Sequence, residues 1–210
     1  MKCISVHTIL LLLSASSLVL AISLASGSVL KSVNWNSLSV EREVQEERIY
    51  LMRLHAYQTL WASHDASTDK GEFDETYIPE KMAEDTWRDL IRHLVLATPF
   101  LGICSVFILL LASLVPVIKK KRSILFVCRL TSSAISMTAG IMLAYALNQY
   151  RTHYKTLMEY DPFFGYPDED YLTTGFFMAA AACAFYFFTV LVNIISLLLP
   201  VKSETVVSPF

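Results

Sequence analysis

The side chains that could act as nucleophiles, general bases or metal ligands are spread along this 210-residue chain without the spacing that such sites need. Histidine, cysteine and carboxylate ligands of a metal ion usually recur at short intervals. The five histidines do not: His7, His55, His64, His93 and His153. The sequence also lacks Cys-x-x-Cys, Gly-x-Ser-x-Gly and a glycine-rich phosphate loop. We therefore predict a protein that is not an enzyme and that needs no cofactor or metal ion.

Two polar side chains lie inside long apolar stretches, where a lipid or an ion could meet them. Arg129 follows the start of its stretch by about two helical turns, a depth from which a long side chain can reach the headgroups. Asn193 lies within the last apolar stretch. We interpret Arg129 as reaching the headgroups, with a lipid or gating contact as the alternative. We interpret Asn193 as an interhelical hydrogen-bonding residue, with a transport path as the alternative.

Four apolar segments must position these residues, and charge defines their boundaries. Three contain no charged residue and one contains only Arg129; they cover residues 3–30, 94–118, 123–150 and 172–201. Each exceeds the roughly 20 apolar residues needed to cross ~30 Å of hydrocarbon. Eighteen of the 19 acidic residues lie instead in 31–92 and 151–171, because a carboxylate at membrane depth is costly.

These segments predict an all-α membrane protein, a four-helix transmembrane bundle with a large first extracellular loop. We expect the spans at about 4–28, 94–118, 124–148 and 172–199. The outer loops then cover 31–92 and 151–171, and a short tail follows at 202–210. The whole chain forms a single membrane domain, and the lipid bilayer is its first partner.

The basic turn between the second and third spans sets the orientation. It consists of four consecutive basic residues, Lys119, Lys120, Lys121 and Arg122. Short loops rich in Lys and Arg stay on the cytoplasmic side of the membrane. Both termini are then cytoplasmic, both outer loops face away from the cytoplasm, and the plasma membrane is the expected location.

The first apolar segment has two interpretations. Its basic start, its apolar run and the small residues Ser23 and Ala25 on either side of Leu24 resemble a signal peptide with a cleavage site. The run is longer than the roughly 7–15 apolar residues of a signal peptide, and it continues to Leu30, which favours a retained helix. Cleavage would leave a three-span protein with the other loops on the same sides.

Composition and charge exclude other classes of protein. Hydrophobic residues make up 54% of the chain, so only the first outer loop is available for a soluble part, and it is too small to bury a large core. The formal net charge is −2, and no basic stripe runs along the sequence. We therefore predict that nucleic acid is not a partner.

Small residues recur at four-residue spacing in three spans. The first span has Ser17, Ala21 and Ala25, the third has Ser132, Ser136, Gly140 and Ala144, and the fourth has Gly175, Ala179 and Cys183. Helices in lipid gain little from apolar contact with each other, so their association depends on close packing along small residues. We predict that these three series are helix-packing faces.

The first outer loop leaves its secondary structure open between residues 40 and 61. Val40, Val44 and Leu51 share one face of a helix, which is typical of an amphipathic helix. Ile49 breaks that pattern. A strand over residues 49–61 therefore stays open.

The order of the loops and a few residues resemble a known family. Trp35 follows the first span, Thr59, Leu60 and Trp61 follow further along the loop, and Arg88 precedes the second span. With a large first and a smaller second outer loop, the chain resembles the superfamily of claudins, peripheral myelin proteins and calcium-channel gamma subunits. That family has Gly-Leu-Trp and then two disulfide-bonded cysteines in its first loop. Here Thr59 replaces the glycine, and neither cysteine is present.

The resemblance implies two functions that do not involve catalysis. A claudin-like protein acts in cell–cell contact or membrane organisation, and its outer loops meet the same protein in trans. A gamma-like accessory subunit instead binds in cis and regulates a channel or receptor of the same membrane. The C-terminal residues Ser208, Pro209 and Phe210 also fit the loose pattern that PDZ domains bind, so a PDZ-domain protein is a candidate cytoplasmic partner.

Overall fold

The structure of the protein is a computed structural model, which describes residues 6–46, 48–58, 60–61, 63–67, 75–77, 86–114, 122–153 and 169–199. Its helices are α1 (Val6–Ser28), α2 (Thr86–Leu114), α3 (Arg122–His153) and α4 (Thr174–Leu198). All four are long and apolar enough to cross a membrane. The prediction of four spans is therefore confirmed, and the chain is a multi-pass membrane protein.

The four helices form a ring in which each helix packs mainly on two neighbours. α1 lies against α2 and α4, and α3 lies against the same two helices. The interior holds many small side chains, among them Ala21, Ala25, Ala139, Ala179 and Ala182. The outward faces carry large apolar side chains, among them Phe100, Phe107, Phe177 and Leu191. This distribution suits lipid, because small residues let helices approach closely while large ones face the acyl chains.

The two loops that we predict to be outer, residues 31–92 and 151–171, contribute strands to one antiparallel sheet. The strands are β1 (Asn36–Glu46), β2 (Arg48–Gln58), β3 (Ser63–Ser67), β4 (Glu75–Tyr77) and β5 (Glu169–Leu172). Their order in the sheet is β4-β3-β2-β1-β5. β5 comes from the second loop, and its Leu172 pairs with Asn36 at the start of β1. Both outer loops are therefore joined in a single sheet.

The described residues of the stretch 40–61 up to Gln58 lie in β1 and β2, so the structure has the strand alternative there and not the amphipathic helix. β1 and β2 make a hairpin in which Val40 pairs with Leu54 and Val44 pairs with Tyr50. The spacing of four residues between Val40 and Val44 fits one face of a strand as well as one face of a helix, so it did not distinguish the two. β-Branched and aromatic residues in this stretch favour the pleated conformation.

The second helix begins before its predicted span. α2 starts at Thr86, ahead of residue 94, because its first turns are amphipathic. Arg88, Ile91 and Val95 recur at intervals of three and four residues and are fully buried, the pattern of a helix with one face against a core. α3 likewise continues to His153, beyond residue 148. Both helices therefore extend toward the sheet.

Candidate functional site

Two tryptophan side chains of the first outer loop close the end of α1. Nε1 of Trp35 donates a hydrogen bond of 2.7 Å to the carbonyl oxygen of Ser28, and Nε1 of Trp61 donates one of 2.7 Å to that of Val29. The last carbonyl groups of a helix have no partner within it, and a buried carbonyl left unpaired costs about 1–3 kcal/mol. The two indoles therefore supply donors that the end of α1 lacks.

The residue before Trp35 caps the next helix of the ring. The carbonyl oxygen of Asn34 accepts hydrogen bonds of 2.7 Å from the Gly175 N–H and from the Thr173 hydroxyl. The first N–H groups of a helix also lack partners within it, so this carbonyl satisfies the start of α4. A Cβ atom at Gly175 would lie 2.5 Å from Trp35 Cδ1 and 2.8 Å from the Asn34 oxygen. Glycine at this position therefore allows the loop to approach α4.

Arg92 of α2 holds the second tryptophan. Its Nε donates to the carbonyl oxygen of Leu60, and its Nη1 pairs with Asp89 at 2.6 Å. The guanidinium carbon lies 5.4 Å from the centre of the Trp61 ring. A hydrogen bond from a charged group contributes about 1.5–3 kcal/mol. Arg92 thus anchors the end of the loop to the first turns of α2.

Arg88 lies one turn before Arg92 in α2. Its side chain is 1% exposed, and its guanidinium carbon lies 5.6 Å from the centre of the Trp87 ring, a geometry that contributes about 0.5–2 kcal/mol. Sequence reasoning missed Arg92. The available signal was its spacing, because residues four apart on a helix share a face.

Aromatic side chains from two helices surround Trp35. Its ring centre is 4.9 Å from that of Tyr150 in α3 and 6.1 Å from that of Phe176 in α4. Each such pair contributes about 0.5–1.5 kcal/mol beyond the burial of area. We call the residues that join the loops to the helix ends the outer junction: Asn34, Trp35, Leu60, Trp61, Arg92, Tyr150, Thr173, Gly175 and Phe176.

Three serine hydroxyls form a cluster between α2 and α3. The Oγ atom of Ser105 lies 2.6 Å from that of Ser132 and 3.0 Å from that of Ser136. All three side chains are buried. Hydrogen bonds between transmembrane helices contribute roughly 0.6–2 kcal/mol each. Two residues of the predicted packing series thus contact α2 through polar groups as well as through their small size.

The remaining members of the small-residue series in α3 and α4 divide between the interior and the surface. Gly140 lies against α4, where Cys183 Sγ donates to its carbonyl oxygen at 3.3 Å. Gly175, Ala179 and Cys183 are all buried, whereas Ala144 is exposed. Each step of four residues turns an ideal helix by about 40°. By Ala144 the series has turned about 120° away from its first residue, so it does not continue to Ala144 as predicted.

Gly140→Leu is expected to loosen the contact between α3 and α4. A Cβ atom at this position would lie 3.2 Å from the nearest ring carbons of Phe187, and a leucine side chain would overlap further. Because Phe187 is 37% exposed and can rotate toward lipid, we expect a moderate loss of about 1–3 kcal/mol. Thermal unfolding in detergent measures this loss. An unchanged unfolding temperature with a normal level at the cell surface would contradict the contact.

Hydrogen bonds between side chains also connect α1 with α4. The hydroxyl of Ser14 donates to Asn193 Oδ1 at 2.8 Å, and the hydroxyls of Ser17 and Thr189 are 2.5 Å apart. All four residues are buried. Asn193 therefore forms an interhelical hydrogen bond, as its position in an apolar span predicted.

Several predicted residues lie outside the part of the chain that the structure describes. They belong to the basic turn and to the C-terminal motif: Lys119, Lys120, Lys121, Ser208 and Phe210. Arg122 is the first residue of α3. Within the described ranges, no three His, Cys, Asp or Glu side chains are grouped so that they could hold a metal ion.

The outer junction holds the sheet on the helix bundle. Indole, guanidinium and backbone groups pair with one another across the loops and the helix ends. The sheet is thereby kept at a defined position relative to the membrane spans. No family model matches this chain, and no curated protein matches it.

Proposed function

We propose that this chain is a claudin-like four-span protein that contacts other proteins through its outer sheet at cell–cell contacts. The observation that carries this proposal is that Trp35, Leu60 and Trp61, the loop residues behind the resemblance, lie together where the sheet meets the helix ends. A surface that is already ordered loses little conformational entropy when it binds. A sheet joined to the bundle therefore suits a role in recognition.

The outer junction offers a substitute for the missing disulfide. The two indole hydrogen bonds contribute about 1 kcal/mol each and the bond from Arg92 about 1.5–3 kcal/mol. Loss of a native disulfide from a small secreted domain typically costs about 2–5 kcal/mol. Since these contributions are of the same size, the absence of both cysteines is compatible with a claudin-like outer sheet.

The charge of the outer loops favours a second candidate, an accessory subunit in the same membrane. Residues 31–92 include 13 acidic and 8 basic side chains, and residues 151–171 include 5 and 2. Two copies that met across a cell contact would bring negatively charged loops together, which opposes association, although salt screens charges beyond ~8 Å. A larger membrane protein with a basic outer surface would have complementary charge.

The packing of α1 supports retention of the first span. Ala25, which lies at the candidate cleavage site, is fully buried within α1. Removal of the helix would take the Ser14 hydroxyl away from Asn193 and leave that buried amide oxygen without its donor, a loss of about 1–3 kcal/mol. A three-span product would therefore be less stable than the four-helix bundle.

A mosaic cell layer tests the adhesive function. When half of the cells in a confluent layer express the tagged protein, we expect it to concentrate at borders between two expressing cells. Arg92→Met removes the charged bond to the Leu60 carbonyl and is expected to abolish this enrichment at an unchanged surface level. Arg151→Met is the matched control, because Arg151 is exposed in the last turn of α3.

A uniform signal in wild type, or equal enrichment at borders with non-expressing cells, would contradict the adhesive function. The accessory role makes a different prediction. An accessory subunit would co-purify with a larger membrane protein from isolated cells that have no neighbours.

A further inference from the structure

Arg129 carries its positive charge into the bundle at the end where α3 begins and α4 ends. Its side chain is 7% exposed, and its Nη1 donates to the hydroxyl of Ser196 and lies 3.4 Å from the Ser196 carbonyl oxygen. Ser196 belongs to the last turn of α4, which ends at Leu198. The guanidinium group therefore lies between two helices, close to the level at which α4 leaves the membrane.

The spans contain no carboxylate that could neutralise this charge. No Asp or Glu occurs from residue 90 to residue 158 or from residue 171 to residue 203, and the first acidic residue of the chain is Glu41. The C-terminal end of a helix supplies only about half a negative charge. A buried charge that is not neutralised is strongly unfavourable, so the site calls for a further anion.

The hydrogen-bond donors of Arg129 and of the last turns of α4 lead to the same conclusion. A guanidinium group has several N–H donors, and both contacts to Ser196 use Nη1 alone. Asn193 lies one turn before Ser196 and is 2% exposed, and its Nδ2 has no hydrogen-bond partner among the described residues. A buried positive charge beside a helix that carries an unpaired amide donor suits an acceptor that has several anionic oxygens.

We propose that Arg129, Ser196 and Asn193 bind the phosphate of an anionic phospholipid in the leaflet where α3 begins. The headgroup phosphates of this leaflet lie at about the level where α4 ends. A lipid can therefore contact the site without leaving the bilayer. The basic run at residues 119–122 precedes α3, and juxtamembrane basic residues attract anionic lipids. Free phosphate and a carboxylate of another membrane protein share this chemistry and are separated by the experiment.

Thermal unfolding of the full-length protein in detergent micelles tests the site. Added phosphatidylglycerol is expected to raise the unfolding temperature by about 5 °C, as a ligand well above its Kd does. Phosphatidylcholine and inorganic phosphate are expected to leave it unchanged. Arg129→Gln should abolish the response to phosphatidylglycerol. Arg151→Gln, the same substitution at an exposed position near the other end of α3, should retain it.

Ser196→Asp is a second test that keeps the cation in place. The new carboxylate would lie beside Arg129, since the Ser196 hydroxyl is its hydrogen-bond partner, and it would neutralise the charge within the protein. We expect this variant to unfold at a higher temperature than wild type in plain detergent and not to respond to phosphatidylglycerol. If Arg129→Gln does not fold, the comparison of Ser196→Asp with wild type still tests whether an anion binds at Arg129.

Three results would overturn the lipid assignment. An equal response to phosphatidylglycerol in wild type and Arg129→Gln would show that the lipid binds elsewhere. Stabilisation by inorganic phosphate would show that the ligand of this site is a soluble anion. Absence of any lipid response, with a stabilised Ser196→Asp variant, would assign a carboxylate from another membrane protein. If Glu204→Gln also lowered the unfolding temperature in that case, the counterion would be Glu204, the acidic residue that follows α4 in the sequence.

Discussion

Trp35→Ala is expected to lower the free energy of unfolding by about 3–5 kcal/mol, the range for truncation of a buried aromatic side chain. The substitution removes a fully buried indole, its hydrogen bond to the Ser28 carbonyl and its ring contacts with Tyr150 and Phe176. Because Trp35 lies between the end of α1 and the start of α4, both helix ends lose a neighbour. The unfolding temperature in detergent should fall by about 10 °C.

Trp35→Phe measures the contribution of the hydrogen bond separately from that of the packing. Phenylalanine keeps much of the apolar volume but leaves the Ser28 carbonyl without its donor, so we expect a smaller loss of about 1–2 kcal/mol. Trp61→Ala is the matched control, because Trp61 is only half-buried although its indole makes the equivalent bond to Val29. A loss for Trp35→Ala that did not exceed the loss for Trp61→Ala would contradict a central role for Trp35.

Gly102→Leu is expected to disrupt the bundle more than Gly140→Leu does, because three helices meet at Gly102. A Cβ atom there would lie 2.6 Å from Ile22 Cγ1 of α1 and 2.6 Å from the Tyr186 hydroxyl oxygen of α4. Overpacking alone costs about 1–3 kcal/mol, and displacement of the fully buried Tyr186 would add the loss of its hydrogen bond. We expect a total above about 3 kcal/mol and little folded protein at the cell surface.

The surroundings of Gly102 also explain how α2 accommodates Pro99. Proline has no N–H group, so the carbonyl of Val95, four residues earlier, loses its partner in the helix. The hydroxyl of Thr98 donates to that carbonyl at 2.9 Å, and the Tyr186 hydroxyl donates to the Thr98 carbonyl at 2.7 Å. A leucine at position 102 would therefore disturb a hydrogen-bonded unit as well as a close helix contact.

Unfolding temperature and surface level distinguish the two glycines under identical conditions. The nearest neighbour of Gly140 is a single ring, Phe187, which is partly exposed and can move. The neighbours of Gly102 belong to two other helices, and Tyr186 has no exposed surface. Equal losses for the two leucine variants would contradict the three-helix contact.

Part of the outer junction could be predicted from the sequence. Trp35, Leu60 and Trp61 stood out because their order along the loop resembles a known family, and they lie at the base of the sheet. Asn34 and Arg92 did not stand out. Asn34 acts through its backbone carbonyl, and Arg92 binds backbone carbonyls of the loop. Because every residue has a backbone carbonyl, the residue type gives no sign of a contact of this kind.

The helix contacts show the same division. Spacing alone placed Ser132, Ser136 and Gly140 in one series, and all three are buried. It also included Ala144, which is exposed, and it missed Gly102. A spacing of four residues assumes one straight contact face, whereas the α-helix turns that face away by about 40° at every step.

The number and approximate positions of the spans were determined by the sequence alone. Crossing the hydrocarbon requires about 20 consecutive apolar residues and excludes carboxylates, and both conditions are properties of composition along the chain. Only the tertiary structure decided which loop residues close which helix ends. Trp35 meets the start of α4 at Gly175, far away along the chain, and such contacts depend on the distances between atoms once the four helices have packed.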